Sequence, residues 1–260
     1  MQVKQEFSHA RDYIDSLAQS GRYHFTTADA KDALSASADA VKLALNRLRK
    51  QGLIATPSRG FYVIVPPEYK SLGCLPADQF IPQLMAHLKL PYYAGLLTAA
   101  QYYGAAHHRP QEFQVFTEKP RRQIKCGKVR VAFIARKQTK QVATKPFNTP
   151  RGTLAVSTPE ATAIDLAGYP DHAGGLEQSA TVLSELAEQI DPDKLVAAAQ
   201  SAPLPWAQRL GFLLERADAL QITTALQDYV RTNANDYTAL SLHAGKEGPR
   251  SKQWKLIINE

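Results

Sequence analysis

Apolar side chains at Phe7, Ala10, Tyr13, Ile14, Leu17 and Ala18 recur at steps of three and four, which predicts an amphipathic helix over residues 4–19, ended by Ser20-Gly21. Thr26 and Asp29 have the spacing of a capping box and open a short second helix that runs to Leu34. Ser37 is placed to cap a third helix, in which Val41, Ala44, Leu45 and Leu48 form the inward stripe. On the same wheel Asp39, Leu43, Asn46, Arg47 and Lys50 point the other way, with Lys42 and Arg49 on the flanks. Gly52 stops the helix as a left-handed cap residue. Residues 53–56 and 61–65 then read as two strands joined by Pro57-Ser58-Arg59-Gly60. Helix, short helix, helix, hairpin is the order of a winged helix-turn-helix.

Beyond Pro66-Pro67 and Pro76, which mark a joint, the periodicity changes. Helices are expected over 78–88 and 94–103, and strands over 112–117 and 128–135, the latter after a turn at Cys126-Gly127. Thr158-Pro159-Glu160 carries three helix-start signals in a row: a capping hydroxyl, a proline at the first position and an acid in the first turn. Further helices are expected over 176–189, 193–200, 205–218 and 220–232, and WKLIIN closes the chain as a strand. The fold class expected is α+β. A winged helix-turn-helix DNA-binding domain (1–66) and a linker (67–77) precede a larger mixed α/β C-terminal domain (78–260).

Charge sharpens this picture. The 260 residues carry a formal net charge of +7, distributed as +3 over 1–65, +9 over 66–150 and −5 over 151–260. Ten basic side chains and no acid fall between positions 119 and 145. That asymmetry favours a polyanionic or acidic partner, and no apolar face accompanies it to suggest a membrane surface. No apolar run is long enough to span a bilayer and no secretory signal is evident, so a cytoplasmic protein is expected. Cys74 and Cys126 stand apart without metal-ligand spacing, which predicts two ordinary thiols and no structural zinc.

The third helix spans roughly 21 Å, enough to lie in a major groove. Asn46 and Arg47 offer the paired donors and acceptors that suit adenine and guanine edges, while Lys42, Arg49 and Lys50 suit phosphates. The amide ends of the second and third helices, near Thr27 and Ser37, add candidate phosphate contacts. Arg59 at the hairpin tip would reach an adjacent minor groove or the backbone. Lys119, Arg121, Arg122, Lys125, Lys128 and Arg130 form a second basic set that could touch nucleic acid or act against a protein.

Other constellations carry less. His107-His108 lacks further ligands at metal spacing. Glu118 directly precedes Lys119, which is not the arrangement of an acid-and-lysine nuclease. Asp165, inside the apolar run ATAIDLAGY, reads as a cap or as the partner of a core arginine. Neither a nucleophile with its base nor a glycine-rich phosphate loop is present, so no catalytic residue, metal or cofactor is expected.

The segment LRKQGLIATPSRGFYVI, with Leu48, Gly52, Leu53, Arg59, Gly60 and Tyr62, resembles the winged-helix end of the AbiEi antitoxins of type IV, abortive-infection toxin–antitoxin pairs. AGLLTAAQYYG at 94–104, VSTPEATAIDLAGY at 156–169 and QWKLIIN at 253–259 resemble that family's carboxy-terminal antitoxin domain. The resemblance implies a non-enzymatic autorepressor that binds repeats in its own promoter. It also implies an antitoxin in phage defence, set against a nucleotidyltransferase toxin of the same operon without need of a stable complex. A free monomer with two copies on adjacent operator sites is the expected assembly. Two alternatives stay open on the residues alone: a nuclease or nucleic-acid-modifying enzyme targeted by the winged helix, and a regulator that senses a small ligand in its second domain.

Overall fold

The computed structural model describes residues 6–105, 111–245 and 247–259. The chain opens with α1 (Ala10–Gln19), β1 (His24–Thr26), α2 (Thr27–Ala33), α3 (Ala38–Lys50), β2 (Ile54–Ser58) and β3 (Phe61–Ile64). Next come α4 (Ile81–Leu88), β4 (Tyr93–Ala94), α5 (Leu96–Tyr102), β5 (Phe113–Thr117), β6 (Ile124–Cys126), β7 (Val129–Ala135), β8 (Thr144–Thr149) and β9 (Gly152–Ser157). The rest is mainly helical: α6 (Pro159–Gly168), α7 (Leu176–Leu186), α8 (Pro192–Gln200), α9 (Leu204–Arg216) and α10 (Thr224–Asn233). Short strands β10 (Thr238–Ala239), β11 (Arg250–Ser251) and β12 (Leu256–Ile257) end it.

By contacts the chain forms two compact units. The first takes the described residues up to Tyr92 with Gln111–Ala135 and Pro146–Leu154; the second takes the described residues of Tyr93–Pro110, Arg136–Lys145 and Ala155–Glu260. In the first unit Tyr13, Ile14, Phe25, Ala30, Leu34, Val41, Leu45, Leu48, Ile54 and Ile64 close a core between three helices and the sheet β1-β3-β2. This is the expected winged helix-turn-helix, with one strand more than the sequence suggests. β1 is three residues long and runs directly into the capping residue of α2, pairing His24 with Val63 and Thr26 with Phe61. α1 begins at Ala10 rather than Lys4, although Phe7 still packs on the core, its ring 5.6 Å from Tyr13. α4 begins at Ile81 because Pro76 starts a separate single turn over Ala77–Gln79. In the same unit β7 pairs parallel with β5 and antiparallel with β6, a strand without a sequence expectation whose last residue, Cys126, the sequence reading takes as part of a turn. Cys74 and Cys126, expected as separate thiols, meet there: both are free and buried, and their thiols are hydrogen-bonded.

The second unit is built around α6, which is buried along its whole length from Glu160 to Gly168. Thr158 caps it by accepting from the Ala161 N–H at 3.3 Å, and Ala94 of β4 pairs parallel with Val156 of β9 just before it. β8 and β9 carry no strand expectation. α6 packs against α7, α8 and α9, α10 packs against α8 and α9, and β12 lies between β10 and β11. Between β11 and β12 stands Trp254, whose indole fills the space a side chain at Gly211 would need and donates to Glu215 Oε2 at 2.8 Å. Asp165 finds the arginine partner expected for it: Arg136 Nε stands 2.9 Å from Asp165 Oδ1, and Tyr93 Oη donates to Oδ2 at 2.8 Å.

Candidate nucleic-acid interface

The outward helix is held by local chemistry at both ends. Thr26 Oγ1 accepts from the Asp29 N–H at 3.1 Å, while Asp29 Oδ2 takes the Thr26 N–H at 2.7 Å, so α2 is locked by a complete capping box. Burial by itself would raise the Asp29 carboxyl, but the Thr26 donors and then Arg22, at 3.0 Å, outweigh it and hold the group below the usual carboxylate range. Ser37 Oγ accepts from the Ala40 N–H at 3.3 Å and sets the first turn of α3. Gly52, at φ +70°, turns the chain back so that the Leu53 N–H reaches the Leu48 carbonyl at 3.0 Å.

Val41, Leu45 and Leu48 face the core, so the other side of α3 faces water. Residues 35–40 are exposed, as are Lys42, Leu43, Arg47, Arg49 and Lys50; Asn46 is half-buried beside them. Between β2 and β3 the turn passes through Arg59 and Gly60, the glycine at φ +78° and the arginine exposed. The wing is anchored to the helix-turn-helix by a bond from the Thr27 N–H to the Gly60 carbonyl at 3.0 Å. That amide, a candidate phosphate donor from sequence, is therefore already engaged, and Thr27 has only its half-buried hydroxyl to offer. Among the described residues no ion pair holds Lys42, Arg47, Arg49, Lys50 or Arg59.

The second basic set lies in the same unit. β6 packs against β2 of the wing, and the Cys126 thiol is hydrogen-bonded to the Thr56 backbone. Lys119, Arg122, Lys125 and Lys128 are exposed. Arg121 and Arg130 are committed instead: the Arg121 guanidinium sits 5.6 Å from the Phe133 ring centre, and Arg130 Nη1 donates to the Gly127 carbonyl at 2.8 Å. Leu43 shares the outward face of α3 and has no place among the site residues expected from sequence. The signal was its apolar character among polar neighbours.

His107-His108 lies outside the described residues, among which no group of three or more acids, histidines and cysteines is gathered as a metal site. A cavity of about 220 Å³ in the first unit is lined by Arg22, Tyr23, His24, Gln79, Gln83 and Arg151. Two arginines, two glutamines, a tyrosine and a histidine give that lining several hydrogen-bonding groups. No described helix is long and apolar enough to cross a membrane.

Residues 12–65 match the family model for a transcriptional regulator, AbiEi antitoxin, and residues 93–216 match the model for the AbiEi antitoxin C-terminal domain. The chain belongs to the AbiEi antitoxin family. Its two matched segments give this AbiEi antitoxin a regulator half followed by an antitoxin half, in the order read from sequence. A solved structure similar to it is the crystal structure of the RV2827C protein from Mycobacterium tuberculosis, at 18% identity and a TM-score of 0.69. That likeness covers 98% of this chain and 92% of the other, and it shows the shared fold. No curated protein matches the sequence.

Proposed function

We propose that this AbiEi antitoxin represses its own operon by laying α3 in the major groove of repeated promoter sites. Arg59 of the wing grips the flanking backbone or minor groove. The observation that carries the reading is the set of five exposed cations, Lys42, Arg47, Arg49, Lys50 and Arg59, none of them spent on an internal ion pair among the described residues. A charge left unpaired on a rigid face is available to phosphates, whose contacts set affinity and register. Asn46 and Arg47 take the base edges, and the exposed first turn of α3 at Ser37 adds a phosphate contact. The DNA-binding domain is residues 1–66, the joint 67–77 and the antitoxin domain 78–260; the core cluster from Tyr13 to Ile64 supports the first of these, while the contact-defined first unit reaches past it to Tyr92 and takes in Gln111–Ala135 and Pro146–Leu154. The antitoxin half acts, without catalysis of its own, against a nucleotidyltransferase toxin from the same operon in a type IV arrangement. No stable complex between the two is needed.

The test uses duplex DNA from immediately upstream of the gene. Asn46→Ala with Arg47→Ala should cost about 1–3 kcal/mol per lost base contact and relax sequence preference, with the melting temperature unchanged. Wild-type affinity and preference in that double variant would remove α3 as the reading helix.

A further inference from the structure

Leu43 is 58% exposed, the largest value among the exposed large hydrophobic side chains of the described residues. It is not waiting for the core, because Val41, Leu45 and Leu48 already fill the inward stripe of α3. One exposed leucine is ordinary in itself. Its neighbours are not: Lys42 precedes it, Asn46, Arg47 and Lys50 continue the same face one and two turns on, and the cations among them outnumber the one acid there, Asp39, one turn before. Charge complementarity makes the occupant of that face a polyanion. Where a helix can enter duplex DNA, the major groove presents a single apolar group, the 5-methyl of thymine; everything else there is a donor, an acceptor or a phosphate.

We infer that Leu43 is a specificity-determining residue that packs on a thymine methyl in the operator. The inference rests on the DNA-binding reading proposed above and deepens it. Leu43 lies three residues before Asn46, a rise of roughly 4.5 Å, so the thymine it reads stands about one to two base pairs from the base met by Asn46 or Arg47. The free protein gains nothing from Leu43 in water. The contact is made only on the correct sequence, so the burial appears wholly as discrimination between thymine and cytosine or uracil.

The experiment takes the full chain and duplex DNA from immediately upstream of its gene, and replaces thymines by deoxyuridine one at a time. Each replacement deletes one methyl and leaves all hydrogen bonds in place. One position per half-site should weaken binding about three- to fivefold, the worth of one buried methyl group. Leu43→Ala should bind the natural site more weakly and show no further loss at that position, while Leu43→Met keeps the sensitivity. Both replacements are at an exposed helical position, so thermal melting should match wild type. A flat uridine scan, or equal losses in wild type and Leu43→Ala, overturns the inference while leaving the DNA-binding reading intact. Absence of sequence-specific binding by the wild-type chain overturns both. In that case capture of an acidic protein partner that Leu43→Ala abolishes would assign the leucine to protein recognition.

Discussion

Arg47 on α3 and Arg136 beyond β7 carry the same guanidinium under opposite conditions. Arg47 is exposed and has no ion-pair partner among the described residues; Arg136 is 4% exposed, stands 2.9 Å from a fully buried Asp165, and lies 5.5 Å from the Trp206 ring centre. In the winged helix the core is apolar throughout and cations are spent on the surface. In the second unit a charged pair with Tyr93 sits in the core itself, and Arg209, donating to the Ala239 carbonyl at 3.0 Å, is nearly as deep. Free charge can act on a partner, whereas enclosed charge fixes which helix packs on which loop. Sequence counts of Lys and Arg do not separate these uses; burial does.

The sharpest way to break the contrast is to remove one partner of the enclosed pair. Arg136→Met should destabilise the protein by about 3–5 kcal/mol in urea, because Asp165 is then left as a buried charge without its counter-ion. Combining it with Asp165→Leu should restore most of that loss, since an apolar pair of similar volume has no desolvation cost. A loss that persists in full would mean that the pair itself supplies the stability.

Next in size is a pH effect of the same carboxyl. Burial raises Asp165 to about 6, with Arg136 and Tyr93 opposing the shift. Its folded value lies above the unfolded one, so between about pH 4 and 6 the folded state binds the extra proton. This contribution is present below about pH 4, is lost as the pH rises through 6, and amounts to about 2–3 kcal/mol. Asp29 has the opposite sign: its folded value is depressed, so its contribution is present above the unfolded value and lost as acid protonates it. Comparing urea midpoints of wild type and Asp165→Asn across that window isolates the first effect. Equal slopes for the two proteins would contradict it.

Smaller again is Thr26→Ala, which removes the cap of α2 and should cost about 1 kcal/mol in urea. The cap belongs to the surface-charged unit, and its loss should weaken operator binding only through stability. A drop in affinity beyond that would show that the box also sets the angle of α3.

These elements differ in how legible they are from sequence. Thr26, Asp29, Ser37 and Gly52 announce α2 and α3 because capping chemistry is local, spelled within three or four residues. α6 has no polar face, so Thr158-Pro159-Glu160 announces it where periodicity cannot. β8 has no buried residue, and β1 and β6 are three residues long, β6 running into the turn at Cys126-Gly127; none carries a period long enough to read. At the candidate interface the wheel of α3 foretells its exposed cations. What it cannot foretell is long-range: the Gly60 carbonyl that occupies the Thr27 amide, and the packing of β6 on β2 that brings a second basic set into the winged-helix unit.

That second set yields the smallest predicted change. If the exposed lysines of the β6–β7 ribbon share the duplex with α3, Lys125→Ala and Lys128→Ala should each lower the slope of log affinity against log salt by about 0.9, as Lys50→Ala should. Arg121→Ala should leave the slope alone, since its guanidinium is committed to Phe133. Arg130→Ala should do the same, because Arg130 is tied to the Gly127 and Val129 carbonyls. The contrast between these two pairs keeps the measurement from reporting net charge. Loss of any basic residue lowers the overall attraction, but only a lysine that displaces a counter-ion from a phosphate changes the slope by a whole contact. Should all four variants keep the wild-type slope while Lys125→Ala and Lys128→Ala abolish rescue from the toxin, the ribbon belongs to the antitoxin surface. The DNA footprint then ends at Arg59.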